Sequence, residues 1–290
     1  MGQYIPLGAK QALTTYRKIS IASWNHPRDP STYGWCDLPT GAAKAYLKAQ
    51  GGRPAPSLTH YVAKIIAHCL EKHPELNHLL RAGNLYRRTR TDLFITTLLK
   101  TPAGPDLSGF TLHDVPARTL GELAQLSGEA VERLRRGDDP LTRQTDAVVR
   151  RLPTWVLRGV LGAQSFFHYT LNRSLRAAGV PDDRFGSAMI TNYGVLGIDY
   201  ALVPLSPYSR CPLIIGIGHE RLLPIVRMGE VVAADCVTIS FTFDHRYADG
   251  IHGAQMIRLF RKISHSPDRY PEVFSPGTAP APAEEEPDPL

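Results

Sequence analysis

The chain has 290 residues, of which 43% are hydrophobic and 21% charged; this is ordinary globular usage and excludes wholesale disorder and a collagen-like fibre. No uninterrupted apolar run reaches the roughly 18–20 residues that span a bilayer, and the start, Met1-Gly-Gln-Tyr-Ile-Pro-Leu, lacks the pattern of a secretory signal. The formal net charge is +6, and four negatives (Glu284, Glu285, Glu286, Asp288) sit in the last stretch, so the body carries +10. Such a surplus suits an anionic partner without choosing among a phosphorylated small molecule, nucleic acid and lipid.

Cys36, Cys69, Cys211 and Cys236 form no CxxC pair and read as reduced, buried thiols of a cytoplasmic protein, not as a disulfide frame or zinc site. In chain order, Ser57–Lys72 reads as a helix, with Leu58, Tyr61, Val62, Ile65, Ile66, Cys69 and Leu70 at three- and four-residue spacing and Pro74 closing it. His60, His68, His73 and His78 form no metal pair at helical spacing and read as surface or turn histidines. Thr91–Leu99 reads as a strand. Thr119–Arg135 reads as an amphipathic helix with Thr119 capping and Glu122 completing the capping box.

Residues 153–177 read as one long, strongly apolar helix interrupted by Arg158, Gln164, Asn172 and Arg173. That pattern favours a packed or subunit-contact helix over one lying on a membrane. Strands are expected at Ala188–Tyr193, Leu213–Ile217 and Val231–Phe243, the last with Val237, Ile239, Phe241 and Phe243 facing inward. Residues 275–290 hold five prolines and almost no large apolar side chain, the composition of a disordered tail. Helices interleaved with strands, then a late run of strands, indicate an α/β two-layer sandwich with a mixed sheet. The expected organisation is one domain over 1–274, with an atypical helical segment at 140–185, followed by that tail.

The most informative stretch is Ser240-Phe-Thr-Phe-Asp-His-Arg-Tyr-Ala-Asp-Gly-Ile-His. A long strand ends at Asp244, and a helix resumes near Ile251. Between them lies His-x-x-x-Asp-Gly, formed by His245, Asp249 and Gly250. Strand ends deliver reactive side chains from a rigid backbone, a histidine there can accept a proton near neutral pH, and Gly250 would permit a tight turn. The residues alone also allow the plainer reading of a His and an Asp satisfying a turn. Ser240 and Thr242 are candidate nucleophiles outside any Gly-x-Ser-x-Gly elbow, Gly216-Ile-Gly218 lacks the rest of a dinucleotide fingerprint, and His252 reads as a helix-face residue.

The stretch Phe243-Asp-His-Arg-Tyr-Ala-Asp-Gly resembles the active-site motif of the dihydrolipoamide acyltransferase (E2) catalytic domain of 2-oxoacid dehydrogenase complexes, of the chloramphenicol acetyltransferase-like superfamily. Three further segments resemble family elements in order: Tyr16-Arg-Lys-Ile, Leu58–Asn77 ending His-Pro-Glu-Leu-Asn, and Thr191-Asn-Tyr-Gly-Val-Leu-Gly, 54 residues before His245. The resemblance covers about 12–263 and is weakest in the middle. It implies a chloramphenicol acetyltransferase-like fold and a CoA-dependent transfer of an acyl group from a thioester. His245 would take the proton from the thiol of coenzyme A or dihydrolipoamide, and Thr191, in place of the usual serine, would stabilise the oxyanion. Asp249 would be structural, paired with Arg17, with Gly250, Asn192 and Asp244 in support.

The resemblance also implies a homotrimer or larger assembly with each site between subunits, and no metal or nucleic acid. It implies a standalone form without lipoyl or peripheral-subunit-binding domains, so a lipoyl group would come on a separate carrier, and a dehydrogenase subunit could be a partner. Residues 140–185 and Pro204-Leu-Ser-Pro-Tyr-Ser-Arg-Cys-Pro depart from the family pattern. The alternative is a catalytically idle E2-like core or scaffold subunit.

Overall fold

The computed structural model describes residues 7–10, 29–101, 104–136, 153–175 and 183–275. Arg17 and the Pro-rich stretch 276–290 lie outside the described residues.

A mixed sheet is built around β10 (Glu230–Asp244), whose sequence alternates Val237, Ile239, Phe241, Phe243 with Thr238, Ser240, Thr242. Side chains alternate across a strand, so the two sets face opposite sides. The strand order is β2 (Ser31–Pro39), β10, β8 (Leu213–Ile217), β7 (Ala188–Asn192), β5 (Leu93–Thr101) and β6 (Gly104–Leu112), with β9 (Arg221–Arg227) pairing the first half of β10. β7 is parallel to both β5 and β8; the other pairings are antiparallel. The mixed α/β fold expected from the element pattern is the one observed.

The apolar face of this sheet packs on helices α1 (Gly41–Gln50), α2 (Leu58–Lys72), α3 (Leu120–Arg136) and α5 (Gly250–His265). Tyr61, Ile65 and Ile66 of α2 share one core with Ile239, Phe241 and Phe243 of β10 and with Met256 and Phe260 of α5. Burying a side chain such as Phe241 contributes roughly 1.5–3 kcal/mol. α3 opens with a reciprocal cap: the Thr119 N–H donates to Glu122 Oε2 at 2.7 Å, and the Glu122 N–H donates to Thr119 Oγ1 at 3.2 Å. A short α6 (Pro271–Phe274) stacks Phe274 on Tyr61. All four cysteines are free and buried.

A second sheet has the order β1 (Leu7–Lys10), β4 (Asn84–Arg88), β3 (His78–Arg81). Ala82 and Gly83 both have positive φ, giving the two-residue turn that suits a hairpin between β3 and β4. Beside it, α4 (Thr154–Ser165) runs into a wider π turn over Phe166–Thr170. This corrects the expectation of one helix over 153–177. The helix stops because Asn172 takes a left-handed backbone (φ 51°), and Arg81 Nε donates to the Thr170 carbonyl at 2.7 Å, closing the C-terminal end. None of the helices among the described residues is long and apolar enough to cross a membrane.

His78 is buried, with Nδ1 2.8 Å from the Glu75 carbonyl, and His60 is half-buried between Ser57 and Ser127. Of the surface or turn positions expected for these histidines, His78 fits the turn, whereas His60 fits neither, lying half-buried on α2. A buried ion pair joins Arg88 of β4 to Asp183, whose N–H in turn donates to His168 Nε2 at 3.1 Å.

Candidate active site

The polar face of the sheet carries Thr191, level with Gly216 and Ser240, whereas Asn192 faces the side that α2 covers. Thr238, Ser240 and Thr242 are buried, and Ser240 and Thr242 meet the segment over residues 193–212. The Thr242 hydroxyl donates to the Val203 carbonyl at 2.7 Å, and Ser240 Oγ lies 3.0 Å from the Tyr193 hydroxyl. These hydroxyls tie the covering segment down, so neither is placed as a nucleophile. Gly216, on β8 beside Ser240, has no room for a side chain, because a Cβ would fall on Ser240 Oγ and the Tyr193 ring. That is a packing reason for glycine, in keeping with strand backbone in place of a nucleotide loop.

At the end of β10 the chain makes a compact turn over 244–249. Asp244 is buried and takes both Nε and NH2 of Arg246, at 3.0 and 2.6 Å. Its carbonyl accepts the N–H groups of Tyr247 and Ala248, and its own N–H donates to Pro212 O at 2.9 Å. The His245 N–H donates to Pro30 O at 2.9 Å, and Nδ1 lies 2.8 Å from the Ala248 carbonyl oxygen. A carbonyl can only accept, so Nδ1 carries the proton and Nε2 carries the lone pair. Imidazole in this tautomer is a base held at a fixed angle on a strand end.

Asp249 caps α5, its Oδ1 accepting the N–H of Ile251 at 3.2 Å and standing 2.6 Å from His252 Nδ1. His252 therefore completes the cap. Its expected partner Arg17 lies outside the described residues. Gly250 is the first residue of α5; it has no positive φ, and a Cβ there would meet nothing within 4 Å. The turn thus does not draw on glycine's conformational freedom, contrary to the expectation for Gly250, because residues 244–249 complete it first.

Thr191 lies in β7, opposite Gly216 of β8, which in turn lies opposite Ser240 of β10. Asn192 Nδ2 donates to Thr59 Oγ1 at 3.3 Å, joining the strand to the start of α2. Gly194 presses so close to Gly218 that a Cβ would fall on the Gly218 carbonyl. The structure thus brings His245, Asp244, Asp249 and Gly250 together in one turn, and leaves Thr191 and Asn192 elsewhere on the same sheet. Five residues separate Ser240 from His245, so within one chain Thr191 lies roughly 16 Å along the strand from His245, and two strands away.

Two tyrosines escaped the sequence reading. Tyr193 packs over Ser240, and Tyr247 is buried with its hydroxyl accepting the Leu80 N–H at 2.9 Å. Burial pushes the Tyr247 hydroxyl up to about 12, so it stays protonated. The position of Tyr247 inside His-x-x-x-Asp-Gly was the available signal.

Residues 173–270 match the family model "2-oxoacid dehydrogenases acyltransferase (catalytic domain)". A dihydrolipoyllysine-residue acetyltransferase component of the pyruvate dehydrogenase complex from Rhizobium meliloti (strain 1021) is 32% identical over 83 residues, 28% of this chain and 18% of that protein. The matched stretch spans less than a fifth of the length of such curated relatives. Among solved structures, the cubic core of the pyruvate dehydrogenase multienzyme complex aligns with a TM-score of 0.60 at 16% identity, over 90% of this chain and 94% of that one. Dihydrolipoamide acetyltransferase from Azotobacter vinelandii aligns at 0.58 and 16%, with the same coverages. Residues 173–270 are thus similar in sequence to the 2-oxoacid dehydrogenase acyltransferase catalytic domain, and the chain as a whole shares that domain's fold.

Proposed function

We propose that this chain is an acyltransferase that moves an acyl group between a thioester, of coenzyme A or of a lipoyl group, and an acceptor. His245 is the general base, and Thr191 of a neighbouring copy donates to the oxyanion. The observation that carries this reading is the contact of His245 Nδ1 with the Ala248 carbonyl, which fixes the proton on Nδ1 and makes Nε2 the basic nitrogen. A thiol of pKa about 8.5 is only a few per cent ionised at pH 7, so a base that takes its proton during attack gains typically about 10²–10⁴-fold. Attack on the thioester carbonyl develops negative charge on oxygen, where a hydroxyl donor contributes on the order of 10²-fold.

Three further observations support the reading. In the Azotobacter enzyme a serine, a histidine and an asparagine four positions beyond it have been investigated for a role in catalysis; this chain has His245 and, four positions on, Asp249. The separation of Thr191 from His245 within one chain calls for a second copy to complete a site, as a homotrimer or larger assembly would. The segment that follows Thr191 exposes Val195, Leu196, Ile198 and Tyr200, and the β9–β10 ribbon exposes Leu222, Val226, Met228 and Val231, which gives such a copy apolar surface to cover. The basic body suits the phosphates of coenzyme A.

The test is release of free thiol from a panel of acyl-CoAs, with dihydrolipoamide and small amine or alcohol acceptors. Turnover with the native chain, abolished in His245→Ala, is the expected result. A panel with no His245-dependent turnover would leave an idle core subunit as the better account.

A further inference from the structure

The geometry points to Tyr247 as a positioning residue that holds the His245 turn against the edge of β3. This inference rests on the reading of His245 as the base. Among the described residues β3 is the outer strand of its sheet, so Leu80 presents an N–H and a carbonyl that no described strand takes up. The Tyr247 hydroxyl accepts that N–H at 2.9 Å, and Arg210 NH1 donates to that carbonyl at 3.2 Å. The rest of the Arg210 guanidinium reaches the end of α4, with Nε 3.3 Å from Ser165 Oγ and NH2 3.4 Å from Thr170 Oγ1. Leu80, Leu85 and Tyr247 pack together as a small apolar cluster of their own.

The consequence for His245 is direct. Tyr247 is one peptide away from Ala248, whose carbonyl oxygen fixes the imidazole at 2.8 Å. If the tyrosine side chain loses its anchor, that carbonyl shifts, and with it the direction in which Nε2 points. Within the turn, Arg246 returns to Asp244, and the Tyr247 and Ala248 N–H groups return to the Asp244 carbonyl. Tyr247 thereby couples the turn, through Leu80 and Arg210, to the atypical apolar helix α4.

Tyr247→Phe keeps the buried ring and removes the acceptor. With selectively ¹⁵N-labelled histidine in the full assembled chain, the His245 nitrogens of Y247F should move from a single tautomer toward a mixture, while circular dichroism and assembly stay as in the native protein. In turnover, kcat should fall about tenfold with KM unchanged, the pattern of a misaimed base. Tyr61→Phe is the control: its hydroxyl donates to Ser264 O at 3.2 Å in the main core, so Y61F should lower the melting temperature and leave the His245 nitrogens unmoved. Nitrogen signals in folded Y247F that match the native protein would overturn the proposal, whether or not any acyl donor turns over. Should Y247F not fold, Arg210→Gln, which releases the Leu80 carbonyl, is read in the same way, and unmoved nitrogens there overturn it equally.

Discussion

Thr191 and Ser240 lie level with each other on either side of Gly216, three strands abreast on one face of the sheet. Ser240 is sealed beneath Tyr193, whereas Thr191 is half-buried on a segment that runs out into exposed apolar residues. The two hydroxyls share a row, but of the two only Thr191 is partly exposed, as the proposed site between copies requires. Mixing chains should therefore rescue activity. If His245→Ala and Thr191→Ala chains are unfolded together and reassembled, about one interface in four pairs an intact histidine with an intact threonine. About a quarter of native turnover is expected from two individually inactive variants. A mixture as inactive as its parents would place both residues in the same chain's site.

Thr191 itself should tolerate one change and not another. Thr191→Ser keeps the hydroxyl and should stay within a few-fold of native kcat. Thr191→Ala removes the oxyanion donor and should lower kcat on the order of 10²-fold, with little change in KM. Steady-state kinetics on the same acyl donor separates these outcomes.

His60 makes stability depend on pH well above the carboxylate range. Its Nδ1 accepts the Ser57 N–H at 3.0 Å, so Nε2 carries the proton and donates to Ser127 Oγ at 3.0 Å. Burial holds this imidazole down at about 4, below the ordinary 6.5. Below pH 6.5 the unfolded chain takes up a proton that the folded chain refuses, so stability declines as pH falls from about 6.5 to about 4. His60→Gln should flatten that decline in denaturation midpoints measured across this range.

The Arg88–Asp183 pair should dominate any mutational scan of the second sheet. Both side chains are buried, and the pair joins residues 95 positions apart. Asp183→Ala leaves a guanidinium uncompensated and should cost about 3–5 kcal/mol in urea unfolding. Replacing both partners with apolar residues of similar volume should cost much less.

What was legible in the sequence follows the range of the interaction. The Thr119–Glu122 cap and the alternation of β10 are local, and both appear where the spacing places them. The His245 turn was legible because a strand pattern stops at Asp244 and a helix pattern begins within a few residues. β1, β2, β3, β4, β6, β9 and α1 were not expected: His78–Arg88, for one, is too polar to show a strand period, although the Ala82-Gly83 turn was available as a signal. The end of the apolar helix was misplaced because apolar composition continues through Leu171, and the left-handed Asn172 stops the helix. Links such as Arg88–Asp183 and Tyr247–Leu80 join distant positions and have no local signature.

Gly194 and Gly218 meet backbone to backbone, and Gly216 lets Tyr193 lie flat on the strand beneath. Any outward swing of the segment that follows Thr191 would therefore have to break both of these close approaches to the sheet.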